Sequence, residues 1–424
     1  MPRTIRSISA VLALSLAAAL TGCGASGHGK STTEFLTQAQ EKMSMLKSGT
    51  EWQMSHQQFL AGDLDKALKT VDRSIALNER VPKSHVLRGR IMLEKSRLEE
   101  ARQEFLTAQK LDPAFVEAHY YLGIVYERVN QPEDALAAYA KAMELDGANA
   151  QYVVAGAEML VAQNRLDDAD KLLTDRRQFL QYNAAIRQTQ GHIAQLRSDH
   201  KHAIELYAEA LLLAPGDQSI TEDLIQADMV CGQYAEAESF LTKLLDKEPN
   251  QNRRDLKAMK AKCLIALNRP VDARTLLQEI TADKDGSADI RSWTDLGNVC
   301  AILHDKGGLR AAMQRVTAIA PDRPEGFMLK AMFCRQDNRL ADALAAADQA
   351  VAKCGKDSSP FVLKAIIQQD LGQTNEARNT LVQAQQVDPR NAQASALLAA
   401  LDREQNQPNN NQPTIVSHPN DAQP

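Results

Sequence analysis

The chain has 424 residues, a formal net charge of −5 and 44% apolar residues, while aromatic residues make up only 4%. Apolar content drawn mainly from alanine and leucine favours closely packed helices over sheets, which prefer β-branched and aromatic residues. The charge is mild and spread along the chain without a basic face or an acidic block, so nucleic acid is not an expected partner.

The first 22 residues are predicted to be a signal peptide. Arg3 and Arg6 precede an apolar run from Ile8 to Leu20. This run is too short to span a membrane and is typical of a signal-peptide core. It ends in the sequence Leu-Thr-Gly-Cys, which places a cysteine at Cys23 and resembles the bacterial lipobox.

The lipobox resemblance implies a lipid anchor at Cys23. In that motif the cysteine is diacylated, for example with palmitate, and becomes the mature N-terminus. Two or more acyl chains hold a protein stably on a membrane. Gly24 stands where aspartate would indicate retention in the inner membrane, so the resemblance favours the outer membrane of a bacterial envelope, facing the periplasm. The alternative is an ordinary cleaved signal peptide in which Cys23 is incidental.

The two ends of the mature chain differ from its middle. Residues 23–31 are small and rich in glycine and serine, so we expect a flexible tether. Residues 32–47 are predicted to form a polar N-terminal helix with four large apolar residues on one side: Phe35, Leu36, Met43 and Leu46. Residues 405–424 are almost free of apolar side chains, and we expect them to be disordered.

Between these ends, residues 48–391 carry an internal repeat. Alanine recurs at intervals of 34 residues, at Ala67, Ala101, Ala135, Ala169, Ala203 and Ala237. The next anchors are Ala273, Leu309, Ala343 and Ala377, which predicts about ten repeats. Two intervals of 36 residues predict lengthened loops around Asp283–Asp289 and Asp305–Gly308. Residues 392–404 are predicted to be a helix that caps the last repeat.

The best-defined repeat, Val116–Asn149, is similar to the tetratricopeptide repeat (TPR). The residues that match the TPR pattern here are Leu122, Gly123, Tyr126, Ala135, Tyr139 and Ala142, whereas His119 and Gly147 replace its tryptophan and proline. Trp293, Leu296 and Gly297 begin another repeat. The resemblance implies an all-α fold, a TPR-like α-solenoid in which helix-turn-helix repeats form a right-handed superhelix. Turns with positive φ are expected at Asn164, Gly232 and Gly372.

No catalytic or metal-binding pattern is evident. Five cysteines follow Cys23 without paired spacing, and Cys300 and Cys334 occupy core positions of the repeat. His192, His200 and His202 are near one another in sequence, but no complete ligand set accompanies them, so we expect residues exposed to solvent in a turn. The sequence therefore predicts no enzyme, no metal and no cofactor. A metal-binding protein or an enzyme remains a remote alternative that depends on these histidines.

The TPR resemblance places a protein-binding groove on the first helix of each repeat. Carried over position by position, it assigns Trp52, His56, Phe59, Val86, Arg90, Leu93, Tyr120, Ile124, Glu127, Val154 and Glu158. This composition suits an extended or helical partner segment that is neutral or basic. The lysines and asparagines that bind paired carboxylates in chaperone-binding TPR domains are absent. Alternatively, Val86 and Tyr120 pack against the neighbouring repeat, or the irregular repeats at 250–308 contain the binding site.

Together these features predict a membrane-anchored envelope lipoprotein that acts as a scaffold or assembly factor for a protein partner. Related lipoproteins serve pilus or secretin assembly, polysaccharide export, or as adaptors for cell-wall enzymes. The alternative is a structural envelope protein that associates with itself through its end repeats.

Overall fold

The computed structural model describes residues 30–176 and 180–406, and side chains within these ranges for 34–176 and 180–403. The predicted signal peptide, Cys23, nearly all of the tether and the tail from residue 407 lie outside the described residues. Throughout the described ranges the secondary structure is helical and contains no strand, as expected for an all-α protein. None of the described helices is long and apolar enough to cross a membrane.

The first compact unit extends to Ile193. Its described residues form eight complete helices: α1 (Lys30–Leu60), α2 (Leu64–Leu77), α3 (Pro82–Glu94), α4 (Leu98–Leu111), α5 (Val116–Arg128), α6 (Pro132–Leu145), α7 (Ala150–Ala162) and α8 (Leu166–Asp175). The division between the two units falls inside α9 (Ala184–Leu196).

The second compact unit begins at Ala194. Its helices are α10 (His200–Leu213), α11 (Gln218–Cys231), α12 (Tyr234–Leu245), α13 (Arg254–Ala266), α14 (Pro270–Ala282), α15 (Ile290–Ile302), α16 (Lys306–Ile319), α17 (Pro324–Gln336), α18 (Leu340–Lys353), α19 (Ser359–Asp370), α20 (Thr374–Val387) and α21 (Ala392–Asn406). Short 3-10 segments occur at Asn250–Asn252 and Gly286–Ala288.

Nine of the ten sequence anchors lie on the second helix of a pair that packs together, and the tenth, Ala203, lies on α10. The ten anchors, from Ala67 to Ala377, are all completely buried. A small residue is needed on the first helix as well, because a Cβ atom on Gly123 would approach the Tyr139 ring to within 2.6 Å of Cδ1. Gly89 is opposed by the Phe105 ring in the same way. The recurring glycine therefore gives space to the aromatic residue of the second helix, and the two helices can pack closely.

The turn inside each pair has the same backbone conformation. Asn164, Gly232 and Gly372 have φ of 59°, 79° and 75°, which confirms the prediction of positive φ. The residue five positions before each anchor also has a positive φ. These residues are at positions 62, 96, 130, 164, 198, 232, 268, 304, 338 and 372. In a representative turn the amide of Arg97 donates to the carbonyl of Met92 at 2.9 Å, the longer bond of a Schellman motif.

The structure differs from the sequence prediction at two places. The predicted N-terminal helix is not separate, because α1 continues from Lys30 through Gly49 to Leu60 and its second half pairs with α2. The region 283–289 is a lengthened connection as predicted, but Asp305–Gly308 is not. Asp305 caps α16 by accepting from the amide of Gly308 at 3.0 Å in a turn of ordinary length. The other interval of 36 residues instead arises from the connection 246–253, between α12 and α13.

Candidate protein-binding groove

The predicted groove residues occupy equivalent positions on α1, α3, α5 and α7, the first helices of four successive repeats. Three of them are buried: Val86 is 6% exposed, Leu93 4% and Tyr120 9%. The ring of Tyr120 lies 5.0 Å from that of Tyr152, and its hydroxyl accepts from the Gln151 amide at 2.8 Å. Burial raises the pKa of Tyr120. The side chains of Val86, Leu93 and Tyr120 are therefore covered by their neighbours and offer little surface to a partner.

The N-terminal end of the groove is an aromatic stack on α1. The rings of Trp52 and His56 are parallel, with their centroids 5.2 Å apart. The ammonium of Lys83 lies 4.6 Å from the Trp52 ring centroid, and the Trp52 indole donates to the carbonyl of Lys83 at 3.1 Å. Both rings remain partly exposed, so this stack offers a rigid apolar surface.

The middle of the groove is an arginine held between two rings. The Arg90 guanidinium lies 4.8 Å from the Phe59 ring centroid and 5.1 Å from that of Tyr121. The Tyr121 ring also stacks on Phe105 at 5.5 Å. Burial raises the pKa of Tyr121, and the positive charge of Arg90 opposes this effect. We call Phe59, Arg90 and Tyr121 the arginine sandwich; all three side chains are partly exposed.

Tyr121 was missed by sequence reasoning, which assigned its neighbour Tyr120 to the groove. The two rings contact each other edge to face at 5.2 Å. Position-by-position transfer follows the period of the repeat and selects one residue per helix position. It cannot tell which of two adjacent tyrosines is buried. Arg90 and Tyr121 lie on the first helices of neighbouring repeats. Their spacing in the sequence was the one indication that these two side chains could contact each other.

The other end of the groove is acidic. Glu127 and Glu158 are exposed, and Ile124 and Val154 are partly buried beside them. The hydroxyl of Tyr139 donates to the Glu127 carboxylate at 2.9 Å and holds it in place. Restricted hydration raises the pKa of Glu158, and the negative charge of Glu127 raises it further. A cationic side chain bound here would relieve this repulsion.

Two buried histidines replace the tryptophan of the repeat pattern and serve the structure. His85 and His119 each donate from Nε2 to the carbonyl of the residue six before, at 2.8 Å and 2.9 Å. Trp293 donates to the carbonyl of Ser287, also six residues before, at 3.1 Å. Nδ1 of His85 contacts the carboxylate of Glu104 at 2.8 Å. Burial lowers the pKa of His85, but the hydrogen bond to Glu104 and the other contacts reverse this, and the net effect is an increase.

The described residues give no support to a metal site. No group of three or more histidine, cysteine, aspartate or glutamate side chains that could bind an ion occurs within the described ranges. His202 contacts Glu205 at 3.3 Å and both are exposed. Cys300 and Cys334 are buried, as predicted for core positions. The five cysteines after Cys23 are free thiols, and burial raises the pKa of Cys263 and of Cys300 to about 11.

The irregular repeats of the second unit contain a separate charged cavity. Its volume is about 700 Å³, and it is lined by Arg254, Asp255, Ala258, Met259, Lys262, Asp289 and Arg291. Arg253, beside it, forms ion pairs with Glu222 and Asp255. Asp255 is paired with Arg253, and Arg254 lies 3.8 Å from the carboxylate of Asp283, so part of the charge of this cavity is already paired within the protein.

Comparison with known proteins supports the repeat assignment from sequence. Models of the tetratricopeptide repeat match residues 196–260 and 232–292, the TPR repeat model matches 89–130, and a further tetratricopeptide repeat model matches 116–149. The matched segments include groove residues of the first unit and the irregular repeats of the second. No curated protein matches the sequence.

Several solved structures are similar to parts of the chain. The Pseudomonas aeruginosa pilF protein is 17% identical over 47% of this chain and 90% of its own, with a TM-score of 0.42. A tetratricopeptide repeat protein from Parabacteroides merdae is 14% identical over 55% of this chain and 92% of its own, with a TM-score of 0.43. YrrB, a TPR protein with an unusual peptide-binding site, is 19% identical over 44% of this chain and 94% of its own, with a TM-score of 0.34. The family matches cover residues 89–149 and 196–292, and together with nine similar helix pairs they show that the chain contains tetratricopeptide repeats in an all-α, TPR-like solenoid.

Proposed function

We propose that the protein is a lipid-anchored envelope scaffold that binds a segment of a partner protein in the groove of its first compact unit. The observation that carries the binding site is the arginine sandwich, in which two aromatic rings and a guanidinium form a preorganised, partly exposed surface. Aromatic and arginine side chains dominate the energetics of many protein interfaces. The groove is therefore a stronger candidate than the cavity near Arg254, which is lined mainly by charged side chains and has no aromatic residue in its lining.

The chemistry of the groove defines the partner segment. The stack of Trp52 on His56 and the arginine sandwich suit apolar side chains, whereas Glu127 and Glu158 favour a lysine or arginine farther along the segment. An extended or helical peptide with an apolar half and a basic half fits this order. The charges are expected to affect the association rate more than the affinity.

Substitution of the sandwich tests this site once a partner has been captured from the native membrane. Phe59→Ala with Tyr121→Ala removes both rings, and we expect a loss of binding of ~2 kcal/mol or more. Phe327→Ala is the matched control, because Phe327 is also a partly exposed ring near a cation, Lys353, at 5.7 Å in the second unit. Unchanged affinity in the folded double variant would contradict the groove proposal, and a loss after Lys262→Ala would favour the cavity.

The anchor is supported by the sequence around Cys23, where a basic start, a short apolar core and Leu-Thr-Gly-Cys follow one another. Gly24 after the cysteine favours the outer membrane, with the repeats facing the periplasm. Mass spectrometry of protein extracted from membranes should find acyl chains on residue 23. An unmodified thiol there, in protein recovered wholly in the soluble fraction, would refute anchoring.

An assembly role fits an anchored scaffold, in a pilus or secretin, in polysaccharide export, or as an adaptor for a cell-wall enzyme. The identity of the captured partner distinguishes these roles. The alternative is a structural protein that associates with itself. Sedimentation over a range of concentrations tests it, since a monomer at all concentrations excludes self-association.

A further inference from the structure

The first half of α1 exposes apolar side chains that nothing in the described structure covers. Every side chain from Glu34 to Met43 is exposed. Five large apolar residues here are among the most exposed of the described chain: Phe35 is 72% exposed, Leu46 70%, Met45 61%, Met43 54% and Leu36 49%. A cluster of this kind on a soluble surface marks an interaction site more often than a single exposed leucine does.

Four of these residues, Phe35, Leu36, Met43 and Leu46, form an apolar stripe on the side of α1 that faces away from α2, whereas Met45 lies outside it, next to Glu34. The hydroxyls of Ser44, Ser48 and Ser55 donate to backbone carbonyls of α2, so the serine side of the helix faces the protein. At about 100° per residue, Phe35 and Leu46 project almost opposite to Ser44. These four apolar side chains thus point away from the serine side through which α1 contacts α2, and they are available for another contact.

The charges of this segment are also separated. In helical projection, Lys42 lies next to Phe35, and Lys47 lies next to Leu36, so one lysine borders each edge of the apolar stripe. Glu34 and Glu41 lie on the opposite side. Lysines at the edges of an apolar stripe can place their methylene groups along it while the ammonium groups contact anionic lipid headgroups.

The position of the helix brings this stripe close to the membrane. Only residues 24–29 separate Cys23 from the start of α1 at Lys30. Even fully extended, this connection spans at most about 25 Å. We propose that the first half of α1 is an interfacial helix that lies on the lipid surface, with Phe35, Leu36, Met43 and Leu46 inserted among the headgroups. The argument from distance rests on the proposed anchor at Cys23; the arguments from exposure and charge do not.

Photocrosslinking in the full-length, membrane-bound chain identifies what covers the stripe. A benzophenone amino acid is placed at Phe35 or Leu46, with Glu41 on the opposite side as the control position. We expect lipid adducts from positions 35 and 46 and few from position 41. Adducts between two copies of the chain, adducts with another protein, or equal lipid labelling at all three positions would overturn the proposal.

Vesicle binding tests the helix without the anchor. The unlipidated mature chain from Gly24 is mixed with vesicles of phosphatidylethanolamine and phosphatidylglycerol, and bound protein is measured by sedimentation. Phe35→Ser with Leu46→Ser should weaken binding roughly ten-fold or more, because two inserted side chains are lost. Leu212→Ser with Val230→Ser removes two exposed apolar residues of the second unit, 80% and 59% exposed, and should have no effect.

Failure of this inference can be distinguished from failure of the anchor. An unlipidated chain that does not bind the vesicles, or whose binding is unchanged by the Phe35 and Leu46 substitutions, refutes the interfacial helix even when Cys23 is acylated. An unacylated Cys23 refutes the anchor. The vesicle experiment then decides the interfacial helix by itself, because it uses the unlipidated chain. Lys42→Glu with Lys47→Glu should weaken binding to anionic vesicles, and an unchanged affinity would also count against the proposal.

Discussion

The close packing of glycine against an aromatic ring can be tested by adding one methyl group. In Gly123→Ala, the new Cβ atom would lie 2.6 Å from Cδ1 and 2.9 Å from Cζ of Tyr139. Tyr139 is 1% exposed and its hydroxyl is bonded to Glu127, so the ring has little freedom to move. Overpacking of this kind costs ~1–3 kcal/mol, while alanine in a helix gains ~0.5–1 kcal/mol over glycine. We expect a net loss of ~1–2 kcal/mol in the free energy of unfolding of this repeat.

Gly49→Ala is the matched control, since Gly49 also lies inside a helix but no atom would be within 4 Å of its new Cβ. This change should stabilise the protein by ~0.5–1 kcal/mol. Repeats of a solenoid unfold partly independently, so a global melting curve does not report on one repeat. Hydrogen exchange should therefore be measured for α5 and α6 separately. Equal protection of α5 in the two variants, or a stabilised Gly123→Ala protein, would refute the steric role of the Gly123–Tyr139 contact.

Three further predictions concern a turn, an ion pair and the buried thiols. His304 is exposed and has φ of 55°, so His304→Gly should stabilise its repeat by ~0.5–1 kcal/mol in urea unfolding, and a loss of stability would contradict the argument. The pKa of His85 is raised above 6.5 in the folded protein, so its pairing with Glu104 stabilises most below that pH and loses this effect as the pH rises through the raised pKa. Hydrogen exchange in α3 and α4, corrected for the intrinsic rate, should therefore show stability that falls as the pH rises above 6.5 and through the raised pKa, and His85→Gln should flatten this profile. Cys263 and Cys300 should react with a thiol reagent only on unfolding, after the two partly exposed cysteines, and early labelling of either would contradict their burial.

The repeat architecture could be predicted from sequence because its signals are local and recur. An alanine at a fixed interval marks the same helix contact each time, and the turn residue five before it adopts the same conformation whether it is asparagine, serine, histidine or glycine. The continuity of α1 through Gly49 could not be predicted, because a single glycine weakens a helix without ending it. The helix continues through Gly49 because α1 packs against α2. The residues of α2 that make this contact are distant from Gly49 in the sequence.

The groove was predicted only in part, for a related reason. The period of the repeat locates the helix face, but burial depends on side chains from neighbouring helices. Tyr120 is covered because Tyr152 and Gln151 of α7 lie against it, whereas Tyr121 reaches Arg90 on α3. These contacts join residues about one repeat apart, and a single sequence contains no direct record of them.

The uniform turns have a consequence for how such a chain can change in length. Deleting residues 97–130 would join Ser96 to Gln131, and the first helix of one repeat would then precede the second helix of the next. The junction keeps a residue with positive φ before a helix start, and Gly89 would face the ring of Tyr139 in place of Phe105. The deletion would thus leave a correctly paired set of helices one repeat shorter, but without Tyr121. Repeat number can therefore vary by whole-unit loss or duplication, while each such event removes or doubles one helix of the recognition surface.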